Sequence, residues 1–336
     1  MLDRRAFISA GLAIAASLCA APARAQAAPI RVVRPLDLVV LPLLVMEHEH
    51  LIERVAEAMG LGSVTVHWTT PGKDVPLDGL GAGASDFVAA GIAPFLVAAD
   101  ASASQPAEVR ALGAVAQRPY VLVTRNPAIN TIRDFTPKDR IAVPALKTSG
   151  PALMLEMAAA QEWGPEHYDK LDALAVARPD AAAAAALISG KGDIDAHFSR
   201  TPYVDDELGD AKIRRVMDSF DIAGPHSVVM LATTLRFHAA NPELCKAILS
   251  ALQAADDIIK KAPGAAAEMF GAMVKDQDTS LEDLSDMLGD PDLAYSAAPA
   301  GVMRLAEFMH RTGRLRRAPK AWHDLFLPEA RDLAGS

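Results

Sequence analysis

Lys147, Thr148, Ser149 and Gly150 form a polar turn between a short apolar run, Ile141-Ala142-Val143, and a helical pattern in which Leu153, Met154, Met157 and Ala158 share a face. Gly150-Pro151 is a helix-start signal, because proline at the first helical position loses no hydrogen bond. The free N–H groups of a helix start, joined by the hydroxyls of Thr148 and Ser149, make a small cup for a polar or anionic group. The same residues also suit a plain helix cap that binds nothing.

Other chemistry is sparse. There is no Gly-x-Ser-x-Gly elbow, no His-Glu-x-x-His and no paired-cysteine zinc pattern, so the sequence predicts neither an enzyme nor a resident metal or cofactor. Glu47, His48, Glu49 and His50 have the composition of a metal cluster, but residues two apart on a helix point to different faces, which reads as a solvated surface. His226 lies in a Gly-Pro-His-Ser turn and is either a ligand donor or part of a structural turn. His197, beside Asp195 on an apolar run, is either a core histidine paired to a neighbour or a cleft residue. Trp68 at a strand end could stack on a flat ligand or fill the core.

The elements that must carry these residues begin after a leader. Arg4-Arg5 followed by the apolar stretch Ile8–Leu18 and the small-x-small site Ala23-Arg24-Ala25 reads as a twin-arginine export signal cleaved after Ala25. The apolar stretch is too short to span a bilayer. Cys19 lies in it behind a bulky Leu18, a poor lipobox, so Cys245 is the one cysteine of the mature chain and no intrachain disulfide forms. The whole chain carries a formal charge of −9, and the leader removes three basic residues and one acidic one, so the mature chain is more acidic still. That excludes nucleic acid and anionic membrane surfaces as partners. The remaining length fits two lobes.

From residue 36 onward strands alternate with helices, the α/β pattern. Leu36–Val45 reads as a strand ended by Pro42, Met46–Met59 as an amphipathic helix, Val64–Trp68 as a strand, Val75–Leu80 as a short helix and Phe87–Ala90 as a buried strand turning through Gly91-Ile92-Ala93-Pro94 into a helix. Strands over 111–116 and 119–124 cross a lobe boundary. After the 139–160 unit, strands are predicted at 174–176, 194–198, 216–220 and 228–232, with a helix at 179–189. Long helices follow at 241–261, 265–274, 281–288 and 301–312. Two stretches match in construction. Gly83-x-x-Asp86, a buried strand, then Pro94-Phe95 parallels Gly190-x-x-Asp193, a buried strand, then Pro202-Tyr203. Both turns before the prolines sit at strand carboxyl ends, where open α/β sheets bind ligands.

These paired units, with Val143-Pro144-Ala145-Leu146-Lys147-Thr148-Ser149, the run Ile188–Phe198, Phe308-Met309 and the tail Trp322–Glu329, resemble the periplasmic solute-binding proteins of ABC importers, in the nitrate/sulfonate/taurine branch related to thiamine-pyrimidine-binding proteins. The chain departs from that branch after its first helix, where His50-Leu51-Ile52 stands in place of a common Gly-Phe-Phe. The resemblance implies a two-lobed periplasmic binding protein fold of type II, each lobe a mixed sheet flanked by helices, with the ligand cleft between lobes. It implies lobe 1 from 26–117 and 225–336, lobe 2 from 118–224, and crossovers near 117–120 and 222–228. It further implies a monomer exported to the periplasm, free or tethered, that captures a small polar organic molecule or oxyanion (sulfonate-, nitrate- or carboxylate-like) by hinge closure and delivers it to an inner-membrane permease. A pyrimidine-precursor protein of the same fold is the alternative, and its enzyme form is disfavoured by the missing cysteine motif. The cleft would be lined by Leu41, Pro42, Trp68, Thr69, Gly91, Ile92, Ala93, Pro94, Lys147, Thr148, Ser149, Gly150, Phe198, Ser199, Thr201 and His226.

Overall fold

The structure, a computed structural model, describes residues 29–71, 77–275 and 279–336. The twin-arginine leader, the cleavage site after Ala25 and Cys19 lie outside the described residues, as does the start of the helix read from Val75; its described part is helical over Asp78–Ala82.

Eleven strands among the described residues form two sheets: β1 (Ile30–Val33), β2 (Val66–Thr69), β3 (Phe87–Gly91), β4 (Val109–Gln117), β5 (Val121–Thr124), β6 (Ile141–Val143), β7 (Ala175–Ala177), β8 (Ala196–Ser199), β9 (Arg214–Asp218), β10 (Ser227–Thr234) and β11 (Ala294–Tyr295). The six-stranded sheet has the order β11-β4-β10-β3-β1-β2 and the five-stranded sheet the order β7-β6-β8-β5-β9. Both are mixed. β1 runs parallel to β2 and β3, and β6 parallel to β7 and β8, whereas β10 and β5 pair antiparallel with their neighbours. The chain passes from the first sheet to the second between Gln117 and Val121 and returns between Ala223 and Ser227.

The central strands read as continuous apolar runs because helices cover both faces. All eight residues of β10 are buried. So are the three of β6. One large apolar cluster runs through the six-stranded half and into the helix Gly150–Trp163, and a smaller one, built on Val121, Val123, Ala142, Leu187 and Ile194, backs the five-stranded sheet. Cys245 is buried in the helix Pro242–Lys261, where desolvation pushes its thiol up to about 12.

Two expectations are corrected. The first strand is Ile30–Val33, and the run after residue 36 is a helical turn at Leu38–Val40 followed by the helix Leu41–His48. Asp37 caps that turn by accepting from Val39 N at 3.1 Å, and Pro42 sits in the first turn of the helix instead of ending a strand. A solid apolar run fits a buried helix as well as a buried strand. The second correction concerns the matched units. Arg31 N donates to Asp86 Oδ2 at 2.8 Å and Asp86 N to Arg31 O at 2.9 Å; Arg140 N donates to Asp195 Oδ2 at 2.8 Å and Asp195 N to Arg140 O at 2.9 Å. The structural counterpart of Asp86 is therefore Asp195, two residues beyond the Asp193 that the Gly-x-x-Asp spacing selects. Asp193 is exposed and pairs with Arg178.

Candidate functional site

The segments after the carboxyl ends of β1, β2, β3 and β8 meet at a cavity of about 310 Å³ between the two sheets. Pro35, Asp37 and Val39 follow β1 into it, Pro71 follows β2, and Gly91 ends β3. Arg118, Pro119 and Tyr120 come from the outgoing crossover, Val228 and Val229 from the start of β10, and Arg200 from the end of β8. Gly91 and Arg200 each stand five residues after the paired aspartates Asp86 and Asp195, so the two halves contribute equivalent positions to one cavity. Its walls are chiefly proline, valine and tyrosine, and its charges are Asp37, Arg118 and Arg200.

The Arg200 guanidinium ties the halves together. Its Nε donates to Asp180 Oδ2 at 2.8 Å, and its Nη1 pairs with Asp37 from the other half. Burial alone would lower its affinity for protons, but Asp37 and Asp180 outweigh that and raise it above the ordinary arginine value. Asp180 in turn lies 3.3 Å from Nε2 of His197, and His197 Nδ1 lies 2.8 Å from Glu207 Oε1. A chain of charge thus runs from the interior of the five-stranded half, Glu207-His197-Asp180-Arg200, to Asp37 at the cavity.

Arg118 is buried and pairs through Nη2 with Asp290 at 3.1 Å and Asp205 at 3.7 Å. Its Nη1 is buried with no hydrogen-bond partner. Arg200 Nη2 likewise makes no hydrogen bond to the described residues. Two guanidinium groups therefore border the cavity, each with one terminal nitrogen unpaired among the described residues, and the unmatched buried Nη1 of Arg118 costs free energy where it stands.

The residues named from sequence distribute unevenly around this cavity. Gly91 lines it. Ile92 and Ala93 are core residues at the start of the helix that follows, and Pro94 is exposed there. Leu41, Pro42 and Phe198 are buried, the first two in their own helix and Phe198 in β8. Trp68 is partly buried against the core on the edge strand β2, with Thr69 exposed beside it. Lys147 and Thr148 are exposed, and Lys147 approaches Asp172 at 3.9 Å. Ser149 is engaged as a helix cap: its Oγ donates to Ala145 O at 2.7 Å and accepts from Ala152 N at 3.3 Å. Gly150 packs against the Tyr120 ring. Ser199 and Thr201 are buried on either side of Arg200.

His226 is buried at the return crossover, where its Nδ1 meets Gly224 O at 2.9 Å and its ring meets Phe220 edge to face. Ser219 ties the two crossovers together, since Ser219 N donates to Tyr120 O and Tyr120 N donates to Ser219 Oγ, each at 2.9 Å. His48 and His50 are not part of any group of three or more potential metal ligands among the described residues. Sequence reasoning passed over Asp37, Arg118 and Arg200. The position of Arg200, directly after a buried strand in the second matched unit, was the available signal.

No family model matches the chain, and no curated protein matches it in sequence. Solved structures do match. The periplasmic aliphatic sulphonate-binding protein of Escherichia coli aligns with 89% of this chain and 92% of its own at 16% identity, with a TM-score of 0.67. An alkanesulfonate-binding protein of Xanthomonas axonopodis, bound to MOPS, aligns with 91% of this chain and 98% of its own at 18% identity and a TM-score of 0.65. The periplasmic nitrate-binding protein of Synechocystis aligns with 90% of this chain and 86% of its own at 12% identity and a TM-score of 0.65. The chain has the periplasmic binding protein fold. The cavity lies at strand carboxyl ends, the general location of ligand sites in open α/β sheets. No helix among the described residues is long and apolar enough to cross a membrane.

Proposed function

We propose that this chain is the solute-capturing component of an ABC importer, exported with its leader removed after Ala25, acting as a monomer in the periplasm and handing a small polar solute to an inner-membrane permease. The observation that carries the reading is the cavity between the two sheets, walled by apolar side chains and bordered by Arg118 and Arg200. Its volume of about 310 Å³ suits a small organic molecule. The apolar walls desolvate the solute's hydrocarbon part, and Arg200 Nη2 beside Arg118 takes an oxygen acceptor. The solute bridges residues of both halves, so its binding favours the arrangement in which the sheets lie close, a population shift between open and closed forms.

The test is a thermal-shift screen of the mature chain, unfolded and refolded to strip co-purified solute, against small sulfonates, carboxylates, amides and pyrimidines. A solute at about a hundred times its Kd adds about 2.7 kcal/mol of apparent stability. A hit of one chemical class supports the receptor reading, and a flat response across the panel overturns it.

A further inference from the structure

The carboxylates around the cavity carry an inference that builds on the receptor reading and names its solute class. Each arginine at the cavity is already answered by two acids: Arg200 by Asp37 and Asp180, and Arg118 by Asp290 and Asp205. Arg200 keeps Nη2 unpaired among the described residues, but the positive charge behind both guanidinium groups is spent. Beside Arg118 a second hollow of about 470 Å³ is lined by Asp205, Asp206, Asp283, Asp286 and Asp290, which adds negative potential on that flank. Asp37 is itself a cavity wall, held in place by its cap on Val39 N. An anion entering to meet Arg200 must displace this carboxylate or lie against it, and like charges brought together at a binding surface oppose binding.

We propose that Asp37 sets the charge selectivity of the cavity, so that it admits electroneutral polar solutes and excludes simple anions. A carbonyl, sulfonyl or amide oxygen accepts from Arg200 Nη2 beside Arg118, and an N–H of the solute donates to Asp37. The solved neighbours with this fold include proteins named for sulfonate and nitrate, so the selectivity is a point on which this chain departs from the ligands in those names.

The experiment compares two isosteres, methanesulfonate and methanesulfonamide, and adds nitrate, by calorimetric titration at low ionic strength. Wild-type chain is measured beside Asp37→Asn, which keeps a capping side chain for Val39 N, and Asp37→Glu, which keeps the charge. The expected result is that wild type and Asp37→Glu take methanesulfonamide in preference to methanesulfonate, and that Asp37→Asn gains about tenfold or more for methanesulfonate and nitrate, a gain that added salt erodes. Wild-type binding of methanesulfonate or nitrate as tight as that of Asp37→Asn overturns the selectivity and leaves the receptor reading standing. An absence of anion gain in a folded Asp37→Asn chain, shown by an unchanged circular dichroism spectrum, also overturns it. The receptor reading fails separately, through a flat response of wild type to the wider solute panel.

Discussion

A Cβ placed on Gly150 would lie 2.5 Å from the phenolic oxygen of Tyr120 and 2.7 Å from its Cε2 and Cζ atoms. The glycine at the start of the helix is therefore required by an aromatic ring from the outgoing crossover, and that ring is also a wall of the cavity. Gly150→Ala overpacks this contact and should cost about 1–3 kcal/mol. Chemical denaturation of Gly150→Ala, Tyr120→Ala and the double variant checks it. The double variant should be markedly less destabilised than the sum of the singles. Additive costs would show that the two residues do not press on each other.

His197 gives the chain a stability that depends on pH in a definite direction. Burial alone would lower the imidazole's affinity for protons, but the hydrogen bonds to Asp180 and Glu207 outweigh it and leave the pKa raised above 6.5. A histidine raised in the folded state contributes fully below its unfolded value and loses that contribution as pH rises through the folded one. Wild type should lose stability relative to His197→Gln as the buffer is taken upward from pH 6.5, read by urea denaturation at stepped pH. At neutral pH, His197→Ala leaves Asp180 and Glu207 buried without their shared partner, a loss of about 3–5 kcal/mol.

His226 behaves in the opposite sense. Desolvation at the crossover brings it down to about 4, against a single hydrogen bond to Gly224 that opposes the shift. A depressed histidine is fully accommodated above its unfolded pKa, and its contribution falls as pH drops through the folded value. Acid unfolding between pH 6.5 and 4 should therefore be shallower in His226→Phe than in wild type. An identical acid limb in the two chains would remove His226 from the account.

On the proposed receptor reading, Arg118 at the cavity edge contributes to solute affinity. Once the screen has identified a solute, Arg118→Gln should weaken it by roughly 10–100-fold, the range for losing a hydrogen bond to a charged donor. Arg133→Gln, on an exposed arginine paired with Glu162, should leave affinity unchanged. Equal effects from both substitutions would mean that the loss reflects general destabilisation.

The two-sheet α/β architecture was legible because β3, β6 and β10 are apolar runs set between glycine and proline signals, and because Gly83 and Gly190 close their helices in the left-handed conformation. The internal match between halves was legible too, though its register was not. Asp193 and Asp195 are both acidic, and only the backbone exchange with Arg140 tells them apart. The run after residue 36 was misread because burial on all sides erases the periodicity that separates helix from strand. The charged part of the cavity was hidden for another reason. Asp37 and Arg200 are 163 positions apart, and nothing local in either stretch states that they meet. Hydroxyls next to a helix start drew the eye to Thr148 and Ser149, yet Ser149 has both its hydrogen bonds inside its own turn.

Cys245 has a practical consequence. Its thiol is buried and its pKa high, so the reactive thiolate is scarce at neutral pH and a maleimide dye should pass it over in the folded protein. In a chain produced from Gln26 onward, cysteines installed at the exposed positions Pro94 and Thr148 could then carry a donor and an acceptor fluorophore on opposite halves without removing the native residue. The proposed closing of the two halves can then be read as a distance change in single molecules.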